Sequence, residues 1–151
     1  MSANSQTIQQ LAAQLVQKAQ ALDDKTKRAY RIKYVAGTAE KVAAKTAETP
    51  DTEYISLLQN VVNSYPATKE ETKVYAGHIN RYDAYVRKKY FLVPAGYYRA
   101  VWLSLGIAIG LPLGLSFKNI AAGIPIGLGI GLAVGTGLES KARKEGRLVD
   151  L

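Results

Sequence analysis

The chain has no cysteine, one histidine and one tryptophan among its 151 residues. Without cysteine there are no disulfides, thiol nucleophiles or thiolate metal sites, and the redox compartment cannot be read from this residue. His78 alone gives a histidine-based triad or a zinc site too few partners, and it reads as a helical seam residue. Proline is scarce, five in all, and 12 acidic residues face 20 lysines and arginines, for a formal charge of +8. The carboxylate pairs Asp23/Asp24 and Glu70/Glu71 are adjacent in sequence. Adjacent carboxylates suit helix starts better than acid–base work across a cleft. No catalytic residue, cofactor site or metal site is expected.

What the chain does contain is unevenly placed. Residues 1–96 hold 14 basic and 9 acidic side chains, whereas between Ala100 and Leu138 the only charge is Lys118. Ala100 to Phe117 is an uncharged run of 18 residues, and Ile120 to Leu138 is one of 19. As helices they measure roughly 27–29 Å each, close to the ~30 Å hydrocarbon thickness of a bilayer. Only Lys118 and Asn119 separate them, so the second run must return toward the side where the first began. That is a tight helical hairpin. A soluble fold would have to wrap both helices on every side, and the remaining helices are too polar for that, so membrane insertion is expected.

Arg87, Lys88, Lys89 and Arg99 precede the hairpin, and Lys141, Arg143, Lys144 and Arg147 follow it. The positive-inside rule then puts both termini on the cytoplasmic side, or on the matrix or stroma side in an organelle, with a bacterial inner membrane as the expected host. Tyr97, Tyr98 and Trp102 fall where an interfacial aromatic belt belongs. Together with Arg87, Lys88, Lys89, Arg99, Lys141, Arg143 and Lys144 they are the expected membrane-surface anchors. The opening Met1-Ser-Ala-Asn-Ser lacks the apolar core of a secretory signal.

Within the hairpin, large and small residues alternate. Ser104, Gly106, Ala108, Gly110, Pro112, Gly114 and Ser116 are the small or kinking positions of the first run, and Gly123, Pro125, Gly127, Gly129, Gly131, Ala133, Gly135 and Gly137 those of the second. Period two normally signals a strand. Two strands in lipid would leave open edges, and a barrel shared between chains would have a lumen of glycine, alanine and proline. Pro112 and Pro125 would also interrupt its ladder.

On helices, residues four apart nearly align, and residues two apart lie about 200° away, so the alternation draws two opposed smooth stripes on each helix. Small residues at this spacing let backbones approach closely, which is how helices associate in lipid. One stripe serves the hairpin. The other is free for a neighbour. The expected packing residues are Gly106, Gly110, Gly114, Gly123, Gly127, Gly129, Gly131, Gly135 and Gly137. Gly127-x-Gly129-x-Gly131 also hints at a dinucleotide fingerprint, but the next glycine of the series has the wrong spacing and no strand–turn–helix surrounds it.

The stretch from Trp102-Leu-Ser-Leu-Gly through Asn119-Ile-Ala-Ala-Gly-Ile-Pro-Ile-Gly to Lys144-Glu-Gly-Arg resembles small bacterial glycine-zipper proteins with two membrane spans. It is also similar to the mitochondrial cristae-organising hairpin family. The resemblance covers the last third of the chain and implies a hairpin that associates with others in the membrane.

Ahead of the hairpin, Ile8, Leu11, Leu15, Ala19 and Leu22, then Ala29, Ile32, Ala36, Ala39 and Ala43, recur at helical spacing. This predicts helix from about Ser5 to Glu48, with a break near Asp23-Asp24. Pro50-Asp51 stops it and caps a shorter helix to about Ser64, lined by Tyr54, Leu57, Leu58, Val61 and Val62. Pro66 is expected in the first turn of a third helix, with Val74, His78, Ile79, Tyr82, Tyr85 and Val86 on its apolar side, ending near Tyr90 before Pro94-Ala-Gly96. Tyr30, Tyr34, Tyr75, Tyr82, Tyr85 and Tyr90 suit either stacking on bases or core packing. Their place on the helical seams favours packing.

The expected fold is all-α: a membrane helical hairpin preceded by a helical, coiled-coil-like soluble domain. Residues 1–96 form that domain, 97–138 the hairpin and 139–151 a basic tail. The expected function is a non-enzymatic scaffold, anchor or accessory subunit of a membrane assembly. The expected partners are membrane lipid and either further copies of the chain or the subunits of a larger complex. The rival is a pore-forming or membrane-permeabilising effector, against which the spans carry only Ser104, Ser116 and Thr136 as polar residues. A nucleic-acid tether is a weaker third reading.

Overall fold

The computed structural model describes residues 3–46, 51–66, 68 and 70–151, which form seven α-helices and one two-stranded ladder. The all-α fold expected from periodicity is the fold observed. Two compact units are distinguished, Met1–Val93 with Val149–Leu151, and Pro94–Leu148.

The first unit holds α1 (Ala3–Lys18), α2 (Asp24–Ala29), α3 (Ile32–Lys45), α4 (Thr52–Asn63) and α5 (Glu71–Tyr90). Helix α1 buries Ile8, Ala12 and Leu15, a three-to-four stripe that packs on α3 and α4, while α4 packs on α5. The helix expected from about Ser5 with one break has two breaks and forms three helices. The first break lies between Lys18 and Asp24, at the expected place. The second falls at Tyr30-Arg31, where Arg31 takes a left-handed φ of 53°. That conformation costs a non-glycine residue about 1 kcal/mol. Here it swings the Arg31 guanidinium to within 3.3 Å of the Asp83 carboxylate and starts α3 with Ile32, Tyr34 and Val35 buried. The expected end at Glu48 and the stop at Pro50 lie outside the described residues.

Helix α4 starts as expected, with the Asp51 carboxylate accepting a hydrogen bond from Tyr54 N at 3.2 Å. Helix α5 does not start at Pro66. Its first turn is fastened by a reciprocal pair, Thr68 N donating to Glu71 Oε2 at 3.3 Å and Glu71 N donating to Thr68 Oγ1 at 3.5 Å. The buried face of α5 is also rotated by one position at its start. Tyr75 is buried whereas Val74 is 58% exposed. Tyr75 carries the larger apolar surface, and its hydroxyl reaches the Tyr30 carbonyl at 3.0 Å, so burying it satisfies the polar end as well.

The core of this unit is built around tyrosine. Tyr34, Tyr54, Tyr75 and Tyr82 are fully buried. The Tyr54 and Tyr82 hydroxyls lie 2.6 Å apart, and that of Tyr82 lies 2.6 Å from Thr38 Oγ1. Burial pushes the Tyr82 hydroxyl far above its ordinary pKa, so the chain of hydroxyls stays neutral. Rings held in this way are withdrawn from any stacking on bases. Val149 returns to this unit from the far end of the sequence and packs on Gly37, where a Cβ would stand 2.7 Å from Val149 Cγ1.

The second unit is a helical hairpin, α6 (Tyr97–Ser116) and α7 (Ile120–Lys144). Its two ends meet in the ladder of β1 (Val93–Pro94) with β2 (Leu148–Val149). Gly96, at φ 88°, turns the chain into α6. Helix α7 continues beyond Leu138 to Lys144, so the first six residues of the segment read as a basic tail, 139–144, are helical.

Candidate functional site

The hairpin turns on two residues. Helix α6 ends with Asn119 N bonded to the Gly114 carbonyl at 2.8 Å and Lys118 N to the Leu115 carbonyl at 3.0 Å, the paired bonds of a Schellman motif. The left-handed position falls on Lys118, φ 53°, where glycine is usual. Asn119 then caps α7, its side-chain oxygen accepting from Ala122 N at 3.2 Å. One residue thus closes the first helix and opens the second.

From the turn the helices run antiparallel in a register that advances four residues at a time. Gly114 lies against Ile120 and Gly123, Gly110 against Gly123 and Gly127, Gly106 against Gly127 and Gly131, Trp102 against Gly131, and Arg99 against Gly135. The buried residues of α6 are Gly106, Gly110 and Gly114, and those of α7 begin with Gly123, Gly127, Gly131 and Gly135. A Cβ on Gly110 would stand 3.0 Å from Gly127 Cα, and one on Gly114 would stand 2.8 Å from Ile120 Cα. These contacts are backbone on backbone. No side chain fits between them.

Gly129 and Gly137 lie on the other side of α7, where an added Cβ would meet nothing within 4 Å among the described residues. Pro112 and Pro125 are exposed on the outer surface. Each ring removes the N–H that would bond the carbonyl four residues earlier, at Ala108 and Ala121. Ser104 and Ser116 return their hydroxyls to their own helix, to the Ala100 and Pro112 carbonyls at 3.1 and 3.0 Å, and so offer no polar lining.

The large side chains point outward. Leu105, Ile109, Leu115, Phe117, Ile126 and Leu132 are all more than 40% exposed. Only 17% of the apolar window of α6 and 22% of that of α7 is buried. Core helices of a soluble protein would be mostly covered, and an apolar surface of this extent is not left facing water.

Residues 97–141 match a family model described as Glycine zipper membrane protein. The match covers the hairpin and stops short of the α1–α5 unit. Comparison with curated proteins and with solved structures returned no match. The chain is a membrane protein with two candidate spans, and its apolar helices pack through glycine.

The residues expected at the membrane surface are placed in two groups. Arg87 and Lys89, on α5, are bound within the first unit. Arg87 pairs with Asp83 at 3.3 Å and Lys89 with Asp51 at 3.0 Å, while Lys88 beside them is exposed. Asp51 gathers further donors, Tyr85 at 2.8 and 3.0 Å and the Tyr90 hydroxyl. Burial works to raise its pKa, but the hydrogen bonds from Tyr90, Lys89, Tyr85 and Tyr54 N prevail and hold it below the ordinary carboxylate range. The Lys89 ammonium is correspondingly pushed up to about 12 by Tyr85 and Asp51.

At the open end of the hairpin, Tyr97 and Tyr98 pack edge to face, and the Tyr98 hydroxyl accepts from Arg147 Nη1 at 2.9 Å. Trp102 is half-buried, and Lys141, Arg143 and Lys144 are exposed along the last turns of α7. Arg99 Nη2 donates to Glu139 Oε1 at 3.1 Å, and Gly96 N donates to the same oxygen at 3.0 Å. Sequence reasoning missed Glu139. Its signal was a lone carboxylate immediately after an uncharged run of 19 residues, among basic neighbours.

Proposed function

We infer that the protein is a non-enzymatic membrane scaffold, anchor or accessory subunit, in which hairpins pack side by side, or against a partner's helices, through a second small-residue surface. The observation that carries this reading is the division of the α7 glycines. Gly123, Gly127, Gly131 and Gly135 are consumed by contact with α6, whereas Gly129 and Gly137 stand open on the other side. Glycine in a helix interior costs about 1 kcal/mol relative to alanine, and an outward glycine in lipid recovers that cost only when another backbone comes close. Both termini are assigned to the cytoplasmic side from the basic residues flanking the hairpin.

Native mass measurement of the full chain in gentle detergent, alone and with copurifying proteins, tests the reading. Gly129→Leu should abolish association while the hairpin persists, and Gly110→Leu should disrupt the hairpin itself. Unchanged association in Gly129→Leu and Ala133→Leu would remove the basis for lateral packing. The pore reading has weaker support, because the serine hydroxyls are turned back on their own helices and the outer surface is apolar.

A further inference from the structure

Glu139, Ser140 and Arg143 stand three, four and seven residues beyond Thr136 and so share one face of α7, and with Arg99 of α6 these four residues line an open cleft of about 230 Å³. The cleft lies where the apolar runs end, at the headgroup level of a bilayer spanned by the hairpin. Glu139 is 5% exposed. Its Oε1 takes both the Arg99 guanidinium and Gly96 N, while its Oε2 is buried with no hydrogen-bond partner among the described residues. Burial and the bond from Gly96 N hold this carboxylate in place, and its charge-assisted bond fixes the Arg99 guanidinium. Arg99 spends one nitrogen on this bond and its side chain remains 54% exposed. Arg143 also lines the cleft and is exposed, with no acidic partner among the described residues. Thr136 and Ser140, which lie between the two arginines in sequence, bring two hydroxyls to the lining.

We propose that this cleft binds the phosphate of an anionic phospholipid headgroup, with Arg99 and Arg143 as the charged donors, Thr136 and Ser140 as hydroxyl donors, and Glu139 as the residue that positions Arg99. The proposal rests on the hairpin spanning a membrane. Two arginines against one carboxylate leave the site one positive charge, which suits a phosphodiester that carries no cation of its own. Guanidinium groups bind phosphate oxygens in a fixed geometry, and hydroxyls complete the remaining acceptor positions. A site of this kind differs from the general attraction of basic residues to a negative surface, which depends on charge count and is indifferent to position.

Glu139 makes the distinction measurable. Glu139→Gln adds one unit of positive charge, so diffuse attraction predicts equal or tighter binding of anionic lipid, whereas loss of a positioning carboxylate predicts weaker binding. The full chain is reconstituted in nanodiscs of phosphatidylcholine alone or with one quarter phosphatidylglycerol, and lipids retained after detergent release are counted by native mass spectrometry. One retained phosphatidylglycerol is expected for the parent chain. Arg143→Gln and Glu139→Gln should each lower its retention about tenfold or more, while Lys144→Gln leaves it unchanged.

Equal losses in Arg143→Gln and Lys144→Gln, or tighter retention in Glu139→Gln with Arg143→Gln unaffected, would overturn the proposal. Inorganic phosphate is titrated in a parallel arm. Displacement of the lipid at millimolar phosphate would assign the cleft to free phosphate and overturn the lipid. Failure of the chain to enter nanodiscs would instead refute the membrane-spanning hairpin, so the two ideas fail separately.

Discussion

The carbonyl oxygen of Gly123 stands where a Cβ on Gly110 would have to be. The contact is reciprocal, since a Cβ on Gly123 would fall on the Gly110 carbonyl oxygen. Neither position accepts even alanine without separating the helices, because the obstacle on each side is backbone rather than a flexible side-chain end.

Gly110→Leu should therefore open the hairpin. Its helices should move apart by about 2 Å or more, toward the roughly 8–10 Å spacing of ordinary helix pairs. Spin labels on cysteines placed at the outward positions Leu105 and Leu132 can read the change by pulsed electron resonance. The parent chain has no cysteine to confuse the labelling. Gly129→Leu, facing open space, should leave the distance unchanged. Equal lengthening in both variants would show that the register does not hold the pair together.

Much of this hairpin was legible because its determinants are local. The four-residue glycine series, the uncharged runs and the single interruption at Lys118-Asn119 are visible in sequence, and lipid leaves few other ways to satisfy two such segments. The first unit was less legible. The break at Arg31 has no glycine or proline to mark it, and depends on a carboxylate at Asp83 far along the chain. The start of α5 went to the Thr68/Glu71 pair rather than to Pro66, and the choice of Tyr75 over Val74 followed from a distant carbonyl at Tyr30. Asp51 was read as a helix cap, which it is. That Tyr85, Tyr90 and Lys89 also converge on it could not be read from spacing.

The turn offers a direct test of orientation. With both termini on the cytoplasmic side, a cysteine replacing Lys118 should react with a membrane-impermeant maleimide from the opposite face, while one replacing Lys144 should react only after the membrane is opened. Labelling of both positions from the same face in sealed cells or oriented vesicles would refute the assigned topology. The inverse pattern would reverse it.

Tyr34 tests how far the first unit depends on its buried polar bonds. Its hydroxyl donates to Asp83 Oδ1 at 2.7 Å, and the other oxygen of Asp83 pairs with Arg31 and Arg87. Tyr34→Phe keeps the ring and removes the donor, leaving a buried carboxylate one hydrogen bond short. The expected cost is about 1.5–3 kcal/mol, because the acceptor is charged. Tyr54→Phe removes a hydroxyl that bonds only neutral neighbours and should cost about 0.5–1.5 kcal/mol. Thermal melts of the full chain followed by circular dichroism should rank the two in that order, and the reverse ranking would place the main support elsewhere.

Asp51 makes the stability of the same unit depend on acid. Its pKa in the folded chain lies below the ordinary value of 3.8. The folded state therefore binds its proton less readily than the unfolded state does. The stabilisation is present in full above the unfolded pKa of about 4 and is lost as pH falls through the lower folded value. The melting temperature should thus decline on acidification below about pH 4, and Asp51→Asn should flatten the part of that decline due to this group. The variant should also start from lower stability at neutral pH, because Lys89 then loses its carboxylate partner and Tyr85 and Tyr90 lose a charged acceptor. Lys89 titrates near 12, far from this window, so its own protonation cannot imitate the effect. A decline equally steep in the parent chain and in Asp51→Asn would assign the acid sensitivity to other carboxylates.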